Sequence, residues 1–266
     1  MARENPLFAV MTTEEMQDAP AEGFSPELLD TLFEKGRRLF GRHLTGVADH
    51  APDPVGQGLT VEYGCGVGRM LKAAIGQGHR CAGIDISPTM LEHCRRLVPE
   101  AEALYALDDQ GRSAMPGEAA SVVFSYAVVQ HIASLKSYLA AFDEMCRILK
   151  PDGVLAVHLN CADFEGRDFS DPARTENYED HSLHFLPGAA SPYQHHDQNQ
   201  WSGVYIGARL LTDFLAERGV WVTGARRHGA SKSLAIWVQG RKRSPVWWAR
   251  REKESFSRHW WMQPRP

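Results

Sequence analysis

The 266-residue chain is 43% hydrophobic and 23% charged, the size and composition of a globular protein with one full α/β domain plus additions, or two small domains. Its formal charge of −4 argues against a protein devoted to nucleic acid. There is no membrane-length apolar run, no signal-peptide pattern, and no CxxC pair among the five cysteines, so neither a zinc site nor a disulfide framework is expected and a soluble, cytoplasmic setting is.

Residues 1–24 are polar with scattered proline and read as a loosely held arm. Over 25–44, Leu28, Leu29, Leu32, Phe33, Gly36, Leu39 and Phe40 form a helical stripe, opened by Ser25 as N-cap and Pro26 at the first helical position. A Pro/Gly linker at 48–58 follows. Strands are then predicted at 59–63, 80–86, 102–108, 121–129 and 153–160, with helices at 68–76, 88–98 and 135–149 between them. Short, nearly continuous apolar strands alternating with amphipathic helices imply a parallel sheet covered on both faces.

From 161 to 207 periodicity disappears in a stretch rich in His, Asp, Asn and Gly; a connection that long is usually a lid or a binding loop. A helix at 208–218 and two strands near 220–228 and 233–240, read as antiparallel, complete the pattern. The expected fold is a doubly wound, Rossmann-like α/β sheet of about seven strands. Its expected parts are an arm and helix (1–50), a core domain (51–240) and a basic tail with four tryptophans (241–266).

The stretch "TVEYGCGVGRM" (60–70) places a glycine turn directly after the first strand of the sheet, where open α/β sheets bind ligands. Gly64 and Gly66 match the dinucleotide fingerprint, but Arg69 stands at its third glycine and the extra glycine is Gly68. Glu62 adds a carboxylate that would repel a pyrophosphate. A cofactor with no phosphate and a cationic amine suits it better, and S-adenosylmethionine has both properties.

The pattern E-x-G-x-G-x-G at 62–68 resembles motif I of the class I S-adenosylmethionine-dependent methyltransferases. Further pieces follow in order: "AGIDISPTML", "ALYALDDQG", "SYAVVQHI" and "ILKPDGVLAV". The resemblance covers roughly residues 30–160 and 205–240. It implies that the backbone at Gly64, Cys65 and Gly66 approaches the methionine part and the sugar, with Glu62 near the amine. It implies ribose binding by Asp85, with Ile86 beside it, and packing of Met90 on the adenine. It also places Asp109, in preference to Asp108, near the adenine amino group, and Tyr126 in the cofactor or acceptor wall. Arg69 is expected to pair with a carboxylate rather than perform chemistry. One departure is Ser121, where many relatives carry an aspartate at a structural position.

An alcohol acceptor must lose a proton as the new bond forms, which calls for a base, and histidine has a suitable pKa. His131 and the loop pair His195 and His196 are the candidates, although His131 equally fits a role capping the following helix. Adjacent histidines point in different directions on an extended chain, so no metal is expected. The reading is an O-methyltransferase acting on a small hydroxylated molecule such as a sugar or natural product. No nucleic-acid partner is expected, and a homodimer is compatible with the sequence. An N-methyltransferase on an amine or nucleobase is disfavoured by the absence of an "NPPY"-type segment. A non-catalytic S-adenosylmethionine-binding module is the other alternative.

Overall fold

A computed structural model describes residues 25–132, 134–160, 204, 206–227 and 235–243. Three helices start the same way, with a serine just before them. Ser25 accepts the Leu28 amide at 3.2 Å and opens helix α1 (Pro26–His43), whose first residue is a proline that has no N–H to satisfy. Ser87 opens α3 (Pro88–Leu97) by accepting the Met90 amide at 3.3 Å, and Ser134 opens α4 (Leu135–Ile148). Helix α2 (Arg69–Ile75) begins instead at Gly68, and α5 spans Ala208–Glu217.

The strands are β1 (Leu59–Tyr63), β2 (Arg80–Asp85), β3 (Ala103–Ala106), β4 (Ala120–Ser125), β5 (Leu149–Asn160), β6 (Val220–Arg227) and β7 (Ala235–Lys242). They form one sheet in the order β3-β2-β1-β4-β5-β7-β6. The first five are parallel, and β7 runs antiparallel to both β5 and β6. The winding direction reverses between β1 and β4, so the carboxyl ends of those strands form the crevice where such sheets take ligands.

Alternate residues of the strands feed two cores. On one face Val61, Leu155 and Val157 pack with Phe142, Met145 and Leu215 of α4 and α5. On the other, Val122, Phe124, Val154 and Ala156 pack with Phe40, Met70 and Leu71 of α1 and α2. Burial on both sides explains why the strands read as continuous apolar runs. Helix α1 lies tight on α2, since a Cβ at Gly36 would strike the Arg69 carbonyl oxygen.

Three details differ from the sequence pattern. Strand β4 ends at Ser125 instead of 129, because Ala127 takes a φ of 57° and Val129–His131 form a 3-10 turn. Strand β5 starts early, with Leu149 opposite Ala120, and α4 correspondingly stops at Ile148. Ser121 is served by a carboxylate from elsewhere: its hydroxyl donates to Asp53 of the preceding linker, which also holds Lys150 at 2.8 Å. Of the expected loop at 161–207, residues 161–203 and 205 lie outside the described residues, as does the tail from 244 onward, and with them His195, His196 and the four tail tryptophans. Among the described residues no helix is long and apolar enough to cross a membrane.

Candidate cofactor and acceptor site

The glycine turn is built for close approach. Gly64 has a φ of 78°, and a side chain there would collide with both methyl groups of Val128. Gly68 has a φ of 89°, and its Cβ would lie 2.6 Å from Val98 Cγ2 and 2.7 Å from Cys94 Sγ. The first glycine thus admits the chain leaving β4, and the second admits α3 beside the start of α2.

The turn is fastened to the end of β2. The Gly64 and Cys65 amides both donate to the Ile84 carbonyl, at 2.7 and 3.0 Å. The Gly66 amide donates to Asp85 Oδ2 at 2.8 Å, and the Ser87 amide to Oδ1 at 2.8 Å. Asp85 is 9% exposed; burial raises its pKa above the usual carboxylate value, against the pull of the Ser87, Gly66 and Ile86 amides. Its neighbour Ile86 is 73% exposed. An open apolar side chain beside a carboxylate at the carboxyl edge of the sheet offers a flat ligand one face and one acceptor.

The two aspartates after β3 divide the work. Asp108 Oδ1 accepts from the Gln110 and Arg112 amides, each at 2.9 Å, and so closes the loop bridged by Leu107 and Ser113. Asp109 is exposed on that loop. It is the carboxylate with no part in holding the loop together.

Four further residues of the expected site have buried side chains. Glu62 is 3% exposed, enclosed beneath the turn, with Oε2 lacking a hydrogen-bond partner among the described residues. Burial, with Cys94 beside it, holds its pKa well above the usual range, against Arg69 and the Leu71 amide. The Cys65 thiol is buried against Cys94, so Cys65 offers the site its backbone alone. Met90 is packed with Leu32 of α1 and Val67. Arg69 is buried, with its guanidinium 5.7 Å from the Tyr126 ring centroid and Glu62 within electrostatic reach.

Tyr126, the first residue after β4, is half-buried at this edge. Its ring stacks on Trp237 (5.6 Å) and His43 (6.3 Å) and tilts against His158 (5.1 Å). The sequence reading missed these three partners. The one available signal was His158, a polar residue inside an apolar strand. His131 closes the 3-10 turn after Val128 and is exposed, with Nε2 3.3 Å from Gln130 Nε2. It does not cap α4, because Ser134 does. The structure therefore brings Gly64, Gly66, Asp85, Ile86, Tyr126 and His131 to the carboxyl edge of the sheet.

Residues 61–157 match the family described as a methyltransferase domain. A trans-aconitate 2-methyltransferase of Paracidovorax citrulli (strain AAC00-1) is 34% identical over 101 residues, which is 37% of either chain. The match thus spans little more than a third of that relative's length. Among solved structures, an S-adenosylmethionine-dependent methyltransferase from Methanosarcina mazei is similar with a TM-score of 0.54 and 13% identity, covering 76% of this chain and 99% of that one. A putative S-adenosylmethionine-dependent methyltransferase from Listeria monocytogenes is similar with a TM-score of 0.50 and 17% identity, covering 79% and 100%. At those identities the likeness is one of fold. The matched span runs from β1 through most of β5 and holds the whole glycine turn and Asp85, so residues 61–157 are similar to a methyltransferase domain at the very place where the site is built.

Proposed function

We propose that this chain transfers the methyl group of S-adenosylmethionine to an oxygen of a small-molecule acceptor. The observation that carries the cofactor half is the Asp85 carboxylate, tied to the Gly66 amide and flanked by exposed Ile86. That pair fits a ribose diol and an adenine face. The missing third glycine of the dinucleotide fingerprint, replaced by Arg69, speaks against a pyrophosphate.

When bound, S-adenosylmethionine supplies an electrophilic methyl group on a sulfonium. The chain's own residues do the rest. Asp85 accepts from the ribose hydroxyls, Ile86 covers one side of the base, and Asp109 accepts from the exocyclic amine. The backbone of Gly64 to Gly66 shapes the pocket for the amino-acid part. Positioning alone accelerates an in-line displacement that removes a charge. For a hydroxyl acceptor, His131, standing exposed after the β4 exit, takes the proton as the bond to carbon forms. His195 and His196 are the second candidates for that task. The named acceptor of the curated relative, trans-aconitate, is a small molecule, which supports a small-molecule acceptor here.

The test has two stages. Calorimetric titration should show binding of S-adenosylmethionine and S-adenosylhomocysteine and none of NADH. An acceptor found by screening hydroxylated compounds should then lose turnover in His131→Ala, or in His195→Ala or His196→Ala, with cofactor affinity retained. Unchanged turnover in all three rejects a histidine base.

A further inference from the structure

We infer that the face of α1 carrying Lys35, Arg38 and Arg42 is the subsite for an anionic group on the acceptor, a carboxylate or a phosphate. The inference deepens the proposed methyl transfer and rests on it.

The three cations stand at positions i, i+3 and i+7 of one helix, so they share a face. Among the described residues none of them has a carboxylate partner. Glu34, one turn before Arg38, is already held by Arg37 at 2.6 Å. Like charges at this spacing repel, and no carboxylate among the described residues offsets them. Arg42 lies in the last turn of α1, where a cation suits the helix dipole, but Lys35 and Arg38 lie inside the helix and gain nothing there.

Their position adds a fourth charge. Helix α1 presses on α2 at Gly36, directly against the Arg69 carbonyl, and Arg69 lays its guanidinium on Tyr126. Arg69 and Arg38 bear on Lys35 and, after burial, help hold its ammonium below its ordinary pKa, while Arg69 and Arg42 both bear on the Tyr126 phenol. Lys35 is half-buried and Arg38 and Arg42 are exposed. Charged side chains are thus gathered between the N-terminal helix and the exit of β4, next to the glycine turn, where an acceptor must come to meet the methyl group. A cationic rim of this kind recognises an anion and draws it in from solution.

The experiment uses the full chain saturated with S-adenosylhomocysteine, titrated with citrate in one arm and glycerol 3-phosphate in the other. Triethyl citrate is the neutral control. The triple variant Lys35→Ser, Arg38→Ser, Arg42→Ser is run beside the wild type. At least one anion should bind the wild type, with affinity falling as salt is raised. The variant should bind it about tenfold or more weakly while S-adenosylhomocysteine affinity stays within about twofold. Binding of citrate alone or of phosphate alone names which acid the rim takes. The inference is overturned if neither anion binds, if the neutral ester binds as well as citrate, or if the variant binds like the wild type. It is equally overturned if the variant loses S-adenosylhomocysteine affinity, because the cations would then serve the cofactor. Failure of the wild type to bind S-adenosylhomocysteine at all is a separate result and rejects the methyltransferase reading itself.

Discussion

The Gly66 amide donates to the Asp85 carboxylate at 2.8 Å, joining the glycine turn after β1 to the end of β2. One carboxylate therefore shapes the turn and stands ready for the ligand. Replacing Asp85 by Asn removes its charge while keeping its size. Hydrogen bonds to a charged group contribute about 1.5–3 kcal/mol, so S-adenosylhomocysteine affinity should fall about tenfold or more. Titration calorimetry of Asp85→Asn checks this, and unaltered affinity would remove Asp85 from the site.

Gly64→Ala should damage both stability and binding. A residue with a Cβ pays roughly 1–2 kcal/mol in the left-handed region, and here the new methyl also meets Val128. Adding Val128→Ala relieves the collision but not the backbone strain. The double variant should therefore melt between the single variant and the wild type in a thermal scan.

Glu62 gives a pH prediction of definite sign. Its folded pKa is raised above the unfolded one, so its contribution is fully present below the usual carboxylate range and is lost as pH rises through the raised value. Glu62→Gln keeps the shape without a charge to bury. The variant should melt higher than the wild type at pH 8, by roughly 2–4 °C, with the gap closing toward pH 4. A wild type that is the more stable at pH 8 would show that Glu62 is ionised in the fold.

Glu144 has the opposite sign. Burial pushes its pKa up, but Arg147 at 2.7 Å and Ser113, donating through both its hydroxyl (2.6 Å) and its amide (3.0 Å), more than offset that and leave it below its ordinary value. Its stabilisation is present above the unfolded carboxylate pKa and disappears as pH falls through the lower folded one. Glu144→Gln should cost about 1–3 kcal/mol at pH 7 and flatten the acid limb of the stability profile. Chemical denaturation across pH 3 to 7 measures both.

Much of the framework is local and therefore legible in sequence. Ser25-Pro26 and Ser87-Pro88 mark helix starts because the serine oxygen and the proline ring act within one turn. The glycine turn and Asp85 were legible as a spaced motif. Strand β4 was overextended because Val128 and Val129 continue its apolar run, and periodicity does not reveal the positive φ at Ala127 that turns the chain over Gly64. The enclosure of Glu62 was hidden for a different reason. Alternation along a strand gives a face, but it does not say that α2 and Cys94 will close over that face. The Tyr126 cluster depends on the antiparallel register that sets His158 opposite Trp237, a pairing between residues nearly 80 positions apart.

The most direct measurement of the central claim is calorimetric titration of the full chain with S-adenosylhomocysteine, alongside NADH and the Asp85→Asn variant. The account predicts saturable one-site binding of S-adenosylhomocysteine to the wild type, weakened by the substitution, and no heat with NADH. Binding of NADH in place of S-adenosylhomocysteine would contradict it and make the glycine turn a dinucleotide cradle.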